Sequence, residues 1–254
     1  GTAFTTIGTS GVVFAHSSKV SIDPKGRVHT CCCAVPGAWH IMGVTQGAGL
    51  SLKWFKDQFC QDYVSEARAR GCDVYDLINK DVAEIGPGSS RLIYLPYLMG
   101  ERTPHLDPDC RGVFFGLSAI HTKAHMLRAV MEGVSYSLSD CNDILKEMGI
   151  DVDSMMACGG GGKSPVWRQM LADLYDCSVN TVRQTEGPAL GVAILAGVGC
   201  GIYESVEEAC DELISEAQST GADSSVVGKY KAYHELYNEL YGNLKNSYKK
   251  LAAL

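Results

Sequence analysis

The stretch DSMMACGGGGKSPVWRQMLADLYD (153–176) decides the class of the fold. Its opening reads as a strand that runs into four glycines, Gly159 to Gly162. SPVWRQMLADLYD then reads as a helix, with Ser164 as N-cap and Pro165 at the first helical position. A strand, a glycine turn and a capped helix in succession form the unit from which α/β domains are built. Glycines at a helix N-terminus also let a ligand lie directly against the main chain. The spacing is not that of the dinucleotide-binding fingerprint, whose three glycines are separated by one and then two residues. It is not a Walker loop either: Gly162-Lys163-Ser164 matches the end of that motif, but Ala157 stands where its first glycine is required.

Working outward, VNTVR (179–183) reads as the next strand and EGPALGVAILAGVG (186–199) as a buried, glycine-rich helix opening at Pro188. Ser205 and Glu208 form an S-x-x-E capping box for another helix. A last helix, from about Lys229, carries Tyr230, Tyr233, Tyr237 and Tyr241 at spacings of three and four, a stripe suited to packing on the domain. Upstream, Leu127, Val130, Met131, Val134, Leu138, Cys141, Leu145 and Met148 put one apolar face on a helix over 123–148, and Gly149 suits the left-handed position after it. At the front, AFTTIG and VVFA predict a hairpin around Thr9-Ser10-Gly11. VHTCCC (28–33) and WHIMGV (39–44) predict a second strand pair, and GLSLKWFKDQF (49–59) a helix. Residues 61–90 read as mixed, LIYLPYL (92–98) as extended, and 100–112 as a loop before the short strand VFFG. The whole is an α/β domain with a mixed sheet.

Composition narrows the function. The chain has 254 residues, 46% hydrophobic and 20% charged, with a net charge of −7. Acids outnumber bases and no basic run is present, which argues against a nucleic-acid partner. The two long uncharged stretches, 28–52 and 187–203, are interrupted by Pro, His and Gln or are too short, so no membrane span is expected. Eleven cysteines, an odd number including Cys31-Cys32-Cys33, without zinc-like spacing, predict reduced thiols and a cytoplasmic protein. The opening GTAFTTIGTSG has no initiator Met and no signal-peptide pattern and reads as the start of a cut chain.

The segment GVFFGLSAIHTKAHMLRAVME (112–132) makes a family resemblance specific. Gly112, Gly116, His125, Met126, Ala129, Val130, Met131 and Glu132 resemble the C-terminal signature of the FGGY carbohydrate kinases. IGTSG (7–11), QGAGLSLKWF, YLPYLMGERTPHLDP, ACGGGGKSPVWRQMLAD and EGPALGVAILAG stand in the same order and spacing as in that family, and PYLMGERTPHLDP most resembles its xylulose kinases.

The resemblance implies a ribonuclease H-like domain of the actin, hexokinase and Hsp70 type. Residues 1–254 would be the C-terminal, ATP-binding lobe, and the N-terminal sugar-binding, catalytic lobe would be absent. It implies ATP and Mg²⁺ in a cleft between the lobes. Gly8, Thr9 and Ser10 would face the β- and γ-phosphates, Gly49 and Lys53 would line the nucleotide side, Gly160 and Gly161 would lie under the α-phosphate and ribose, and Ser164 would sit near the adenine. The family's catalytic base is an Asp in a GGGDN-like motif, which this chain does not contain, so no catalytic residue and no protein metal ligand is assigned. The implied reaction passes the γ-phosphoryl group of ATP to D-xylulose, the sugar being held through the other lobe, with the isolated chain inactive. Alternatives are another polyol, ketose or sugar acid, or a non-catalytic nucleotide-binding or interaction module. A homodimer is a possible assembly, and exposed apolar area is expected around IGTSG and GGGG.

Overall fold

The computed structural model describes residues 2–184 and 187–254. Two hairpins open the chain. β1 (Thr2–Ile7) pairs antiparallel with β2 (Gly11–Ser17), β2 with β4 (Trp39–Thr45), and β4 with β3 (His29–Cys32). On its other side β1 runs parallel to β7 (Ser154–Cys158), β7 parallel to β8 (Ser178–Val182), and β8 antiparallel to β9 (Glu216–Thr220). The mixed sheet therefore has the order β3-β4-β2-β1-β7-β8-β9, and β5 (Ile93–Leu95) and β6 (Val113–Phe115) form a separate antiparallel pair.

Helices cover the sheet. α1 (Gly49–Phe59) follows β4 directly, on the residues expected. The stretch read as mixed folds into α2 (Gln61–Arg70) and α3 (Val74–Ala83). α2 gave no stripe because Ala67 is its one buried residue, whereas α3 has a legible start, the Asp73 side chain accepting from the Tyr75 N–H. α4 (Lys123–Glu147) runs through the middle of the domain and is buried from Leu127 to Asn142, on every side and not only on the apolar face expected. Arg128, Glu132, Ser135 and Ser137 tolerate this because they are paired, whereas Tyr136 Oη, Asp140 Oδ2 and Asn142 Oδ1 have no partner among the described residues. The carboxylate of Glu132 accepts from Gly88 N–H (2.9 Å), Arg128 Nε (2.9 Å), Tyr230 Oη (3.0 Å) and Ser89 Oγ (2.8 Å).

Beyond β7 come the glycine turn α5 (Gly159–Gly162) and α6 (Pro165–Tyr175), then α7 (Pro188–Gly199), α8 (Val206–Leu213) and α9 (Ser224–Ala252). α9 starts earlier than its apolar pattern because Asp223 caps it, and its stripe is core: Tyr230 and Tyr237 are fully buried, with Tyr241 nearly so. One expectation fails here, and one element went unassigned. α7 was read as buried, yet Ile194 and Gly197 are its only buried residues among those described, and Val192 is 67% exposed. A helix apolar all round gives no face to orient it, and α7 packs chiefly on α8 at one side of the domain. Glu186, part of the stretch quoted with it, lies outside the described residues. The polar edge strand β9, EAQST, had no apolar alternation to reveal it.

Candidate functional site

β1 and β7 run parallel, with Thr6 opposite Cys158, so the residues after both strands emerge at one end of the sheet. In α/β sheets ligands gather at the carboxyl ends of parallel strands. Here the two emerging segments are the turn Gly8-Thr9-Ser10 and the glycine turn α5.

Glycine lets the second segment pack on the strand that leads into the first. A Cβ on Gly159, whose φ is +76°, would fall 2.7 Å from the Ile7 carbonyl oxygen, and one on Gly161 would fall 2.5 Å from Ile7 Cγ2. Both glycines allow α5 to lie on the end of β1. Gly160 differs: a Cβ there would meet no atom within 4 Å. Packing explains Gly159 and Gly161, while nothing inside the chain demands the glycine at 160.

The first turn is clamped from the other side by the start of α1. Gly49 N–H donates to the Gly8 carbonyl (2.7 Å) and Leu50 N–H to the Thr9 carbonyl (3.1 Å), and a Cβ at Gly49 would sit 2.4 Å from Gly8 O. Those two N–H groups of the helix end are spent on holding the turn. Among the described residues the N–H groups of Thr9 and Ser10 are bonded to nothing in the chain, and Thr9 is exposed. Unpaired N–H groups and hydroxyls beside a bare glycine backbone make a surface suited to phosphate oxygens.

The remaining sequence candidates stand at the margins of this surface. Lys53, one helical turn beyond Gly49, is exposed and ion-paired with Asp57, whose hydrogen bond holds the ammonium above its ordinary range. The Ser164 hydroxyl accepts from the Trp167 N–H (3.2 Å) and donates to Asn79 Oδ1 (2.8 Å), so it serves as the cap of α6 and ties that helix to α3. Asn79 lies in the stretch that sequence reading left unresolved. None of the large exposed apolar side chains, such as Ile22, Met99, Leu106, Ile120, Val192 and Ile202, belongs to the two turns themselves. The turns are glycine and hydroxyl instead, a composition fitted to an anion. Surface grooves of about 290 Å³ (lined by Asp23, Arg27 and Glu147) and about 570 Å³ (lined by Arg91, Ser118 and His121) include none of these residues.

Behind the site, where β4 passes into α1, lies a buried carboxylate that sequence reading did not single out. Glu101, 4% exposed, accepts from Thr45 Oγ1 (2.6 Å), Gln46 N–H (2.8 Å), Arg102 N–H (2.7 Å) and Ser137 Oγ (3.4 Å). Burial outweighs these donors and pushes its pKa up to about 7. As for a metal, no group of three or more His, Cys, Asp or Glu among the described residues could hold an ion. The turns offer backbone and hydroxyls, which fit a nucleotide's phosphates; they do not offer the carboxylates of a protein-built Mg²⁺ site. All eleven cysteines are free thiols, with Cys60, Cys110 and Cys141 in the core. No helix among the described residues is long and apolar enough to cross a membrane.

Comparison with known proteins bears on the family and the fold. Residues 3–200 match the family model described as the FGGY family of carbohydrate kinases, C-terminal domain. The chain is 37% identical over 207 residues to a xylulose kinase of Bacillus subtilis, covering 82% of this chain and 40% of that protein. It is 38% identical over 203 residues to a gluconokinase of the same organism, covering 80% and 39%. The structure of ligand-bound xylulose kinase from Lactobacillus acidophilus superposes with a TM-score of 0.87 at 25% identity, covering 98% of this chain and 49% of that one. The chain thus spans about two fifths of the length of the curated relatives it matches. Its mixed sheet is the ribonuclease H-like sheet of the actin, hexokinase and Hsp70 fold, and the chain belongs to the FGGY family of carbohydrate kinases.

Proposed function

We propose that this chain is the nucleotide-binding lobe of an ATP-dependent sugar kinase, the sugar and the catalytic carboxylate being supplied by a second lobe. The observation that carries the reading is that two turns, Gly8–Ser10 and Gly159–Gly162, leave the same end of adjacent parallel strands, with Gly159 and Gly161 packed on Ile7. In it Gly8, Thr9 and Ser10 hold the β- and γ-phosphates through N–H and hydroxyl groups. Gly160 gives the α-phosphate and ribose a surface without side chains, with Gly161 seating that surface on Ile7. Gly49 fixes the first turn, Lys53 lines the nucleotide side of the cleft, and Ser164 orients the helix beside the adenine. Mg²⁺ arrives bound to the phosphates, where it neutralises charge during transfer. Phosphoryl transfer is chiefly a matter of positioning and charge neutralisation, so one lobe alone does not suffice. The reduced thiols and the use of ATP support a cytoplasmic site for the reaction.

D-Xylulose, phosphorylated at its 5-hydroxyl, is the favoured acceptor, because the xylulose kinases are among the most similar relatives in both sequence and structure. D-Gluconate is the second reading, favoured by the 38% identical gluconokinase. The full-length protein, assayed with ATP and Mg²⁺ against D-xylulose, D-gluconate and glycerol, is expected to turn over D-xylulose at ~1–10³ s⁻¹. Preference for D-gluconate would replace the acceptor, and ATP binding without turnover on any sugar would favour a non-catalytic module. Turnover by the 254-residue chain alone would remove the two-lobe reading.

A further inference from the structure

Among the described residues, Glu101 is the one buried carboxylate directly tied to the strand end that leads into the site, and nothing in the reaction proposed above uses it. Its oxygens divide the work. Oε1 accepts from two backbone donors, Gln46 N–H and Arg102 N–H, and Oε2 from the hydroxyls of Thr45 and Ser137, which are themselves 2.8 Å apart. Thr45 ends β4, and Gln46 begins the three-residue link to α1. That link has no slack: a Cβ on Gly47 would fall 1.9 Å from the Pro96 carbonyl oxygen, and Ala48 is fully buried. Next in the chain come Gly49 and Leu50, whose N–H groups hold the carbonyls of Gly8 and Thr9. On the other side, the residue after Glu101, Arg102, leads to Thr103, whose N–H donates to the Val44 carbonyl (3.0 Å) and whose Oγ1 accepts from the Val44 N–H (3.1 Å), so the Glu101 loop is itself riveted to β4.

We propose that Glu101 is a positioning residue for nucleotide: by accepting from Gln46 and Arg102 it fixes the β4–α1 junction, and through Gly49 and Leu50 it sets the position of the Gly8–Ser10 turn. The proposal rests on the reading of that turn as the phosphate site. What matters is an oxygen at the reach of Oε1, not the negative charge. A glutamine at 101 can keep its carbonyl oxygen on the two backbone donors, while its NH₂ faces the Thr45 and Ser137 hydroxyls, which must reorient their 2.8 Å bond to accept from it. An aspartate keeps the charge but withdraws the oxygens by one methylene.

The test measures ADP and sugar binding by calorimetry on the full-length protein. Glu101→Gln is expected to bind ADP within about twofold of wild type, a small cost for an exchange that keeps both backbone donors paired. Glu101→Asp is expected to lose fivefold or more in ADP affinity, with sugar affinity unchanged and faster amide exchange at Gly49 and Leu50. Should the Asp variant not fold, Thr45→Val, which removes the nearest hydroxyl donor, takes its place with an expected loss of threefold or more. A folded Asp or Val variant that binds ADP like wild type overturns the proposal, as does an equal loss of ADP and sugar in either, which marks a general loosening. If the wild type itself does not bind ADP, the phosphate-site reading fails first, and the two failures are told apart.

Discussion

Gly160 and Gly161 are neighbours of the same type, and the structure gives them different reasons to be glycine. A side chain at 161 collides with Ile7 at the end of β1, whereas one at 160 enters open space. Gly161→Val should therefore act on folding, at the ~1–3 kcal/mol typical of overpacking, and lower the melting temperature. Gly160→Val should leave the melting temperature near wild type and, in the full-length protein, weaken ATP binding by more than about tenfold, or roughly 1.4 kcal/mol. Sugar affinity should not change. Unchanged ATP affinity in a folded Gly160→Val protein would remove the glycine turn from the site. This distinction was out of reach of the sequence, where four glycines in a row look alike. Ser164 repeats the point: its place as N-cap was legible from Ser-Pro before a helical pattern, but its bond to Asn79 depends on α3, packed from elsewhere in the chain.

At the scale of elements, α9 combines a buried tyrosine stripe with two exposed glycines. Gly228 and Gly242 sit inside the helix, and a Cβ at either meets nothing within 4 Å. Each Gly→Ala change should stabilise the protein by about 0.5–1 kcal/mol, since it removes backbone freedom from the unfolded chain at no steric cost. Urea unfolding measures this, and a loss of stability from either would contradict the exposure of that face. The elements that sequence reading found share a physical cause. α1, α6 and α4 carry a marked boundary or a full apolar repeat, and the two hairpins have turn residues between β-prone runs. Those it missed or misjudged have none: α2 buries one residue, β9 is a polar edge, and α7 is apolar without a preferred side. Periodicity reports the half-buried element; a helix such as α4, buried all round, shows only the apolar part of its surroundings.

For the whole molecule, two carboxylates make stability depend on pH in opposite directions. The Arg27 guanidinium, hydrogen-bonded to Asp23 at 2.9 and 3.0 Å, lowers that carboxyl from 3.8 to about 2. A depressed carboxyl stabilises the fold above its unfolded value and loses that contribution as pH falls from about 4 through 2. Glu101 works the other way. Its value is raised from 4.5 to about 7, so the contribution is fully present below 4.5 and is lost as pH rises through 7. Glu101→Gln should flatten the fall in stability between pH 4.5 and 7, and Asp23→Asn should flatten the one between pH 4 and 2. Urea midpoints measured across both windows check this, and an unaltered profile in either variant would show that the carboxyl concerned does not titrate as described.

The parallel pairing of β1 with β7 also has a consequence in time. The partners lie about 150 residues apart along the chain, Thr2 against Ser154 and Thr6 against Cys158. At roughly 5–20 residues per second of synthesis, the ribosome needs on the order of 10–30 s to deliver the second strand after the first. Through that interval the Gly8–Ser10 turn exists without its glycine counterpart, and β1 presents the open edge on which strands from other chains can pair. The two halves of the nucleotide cradle are thus made at well-separated times during translation, and the cradle closes only once the glycine turn has followed β7. The front hairpin is a point at which a chaperone or a neighbouring nascent chain can intervene before it forms.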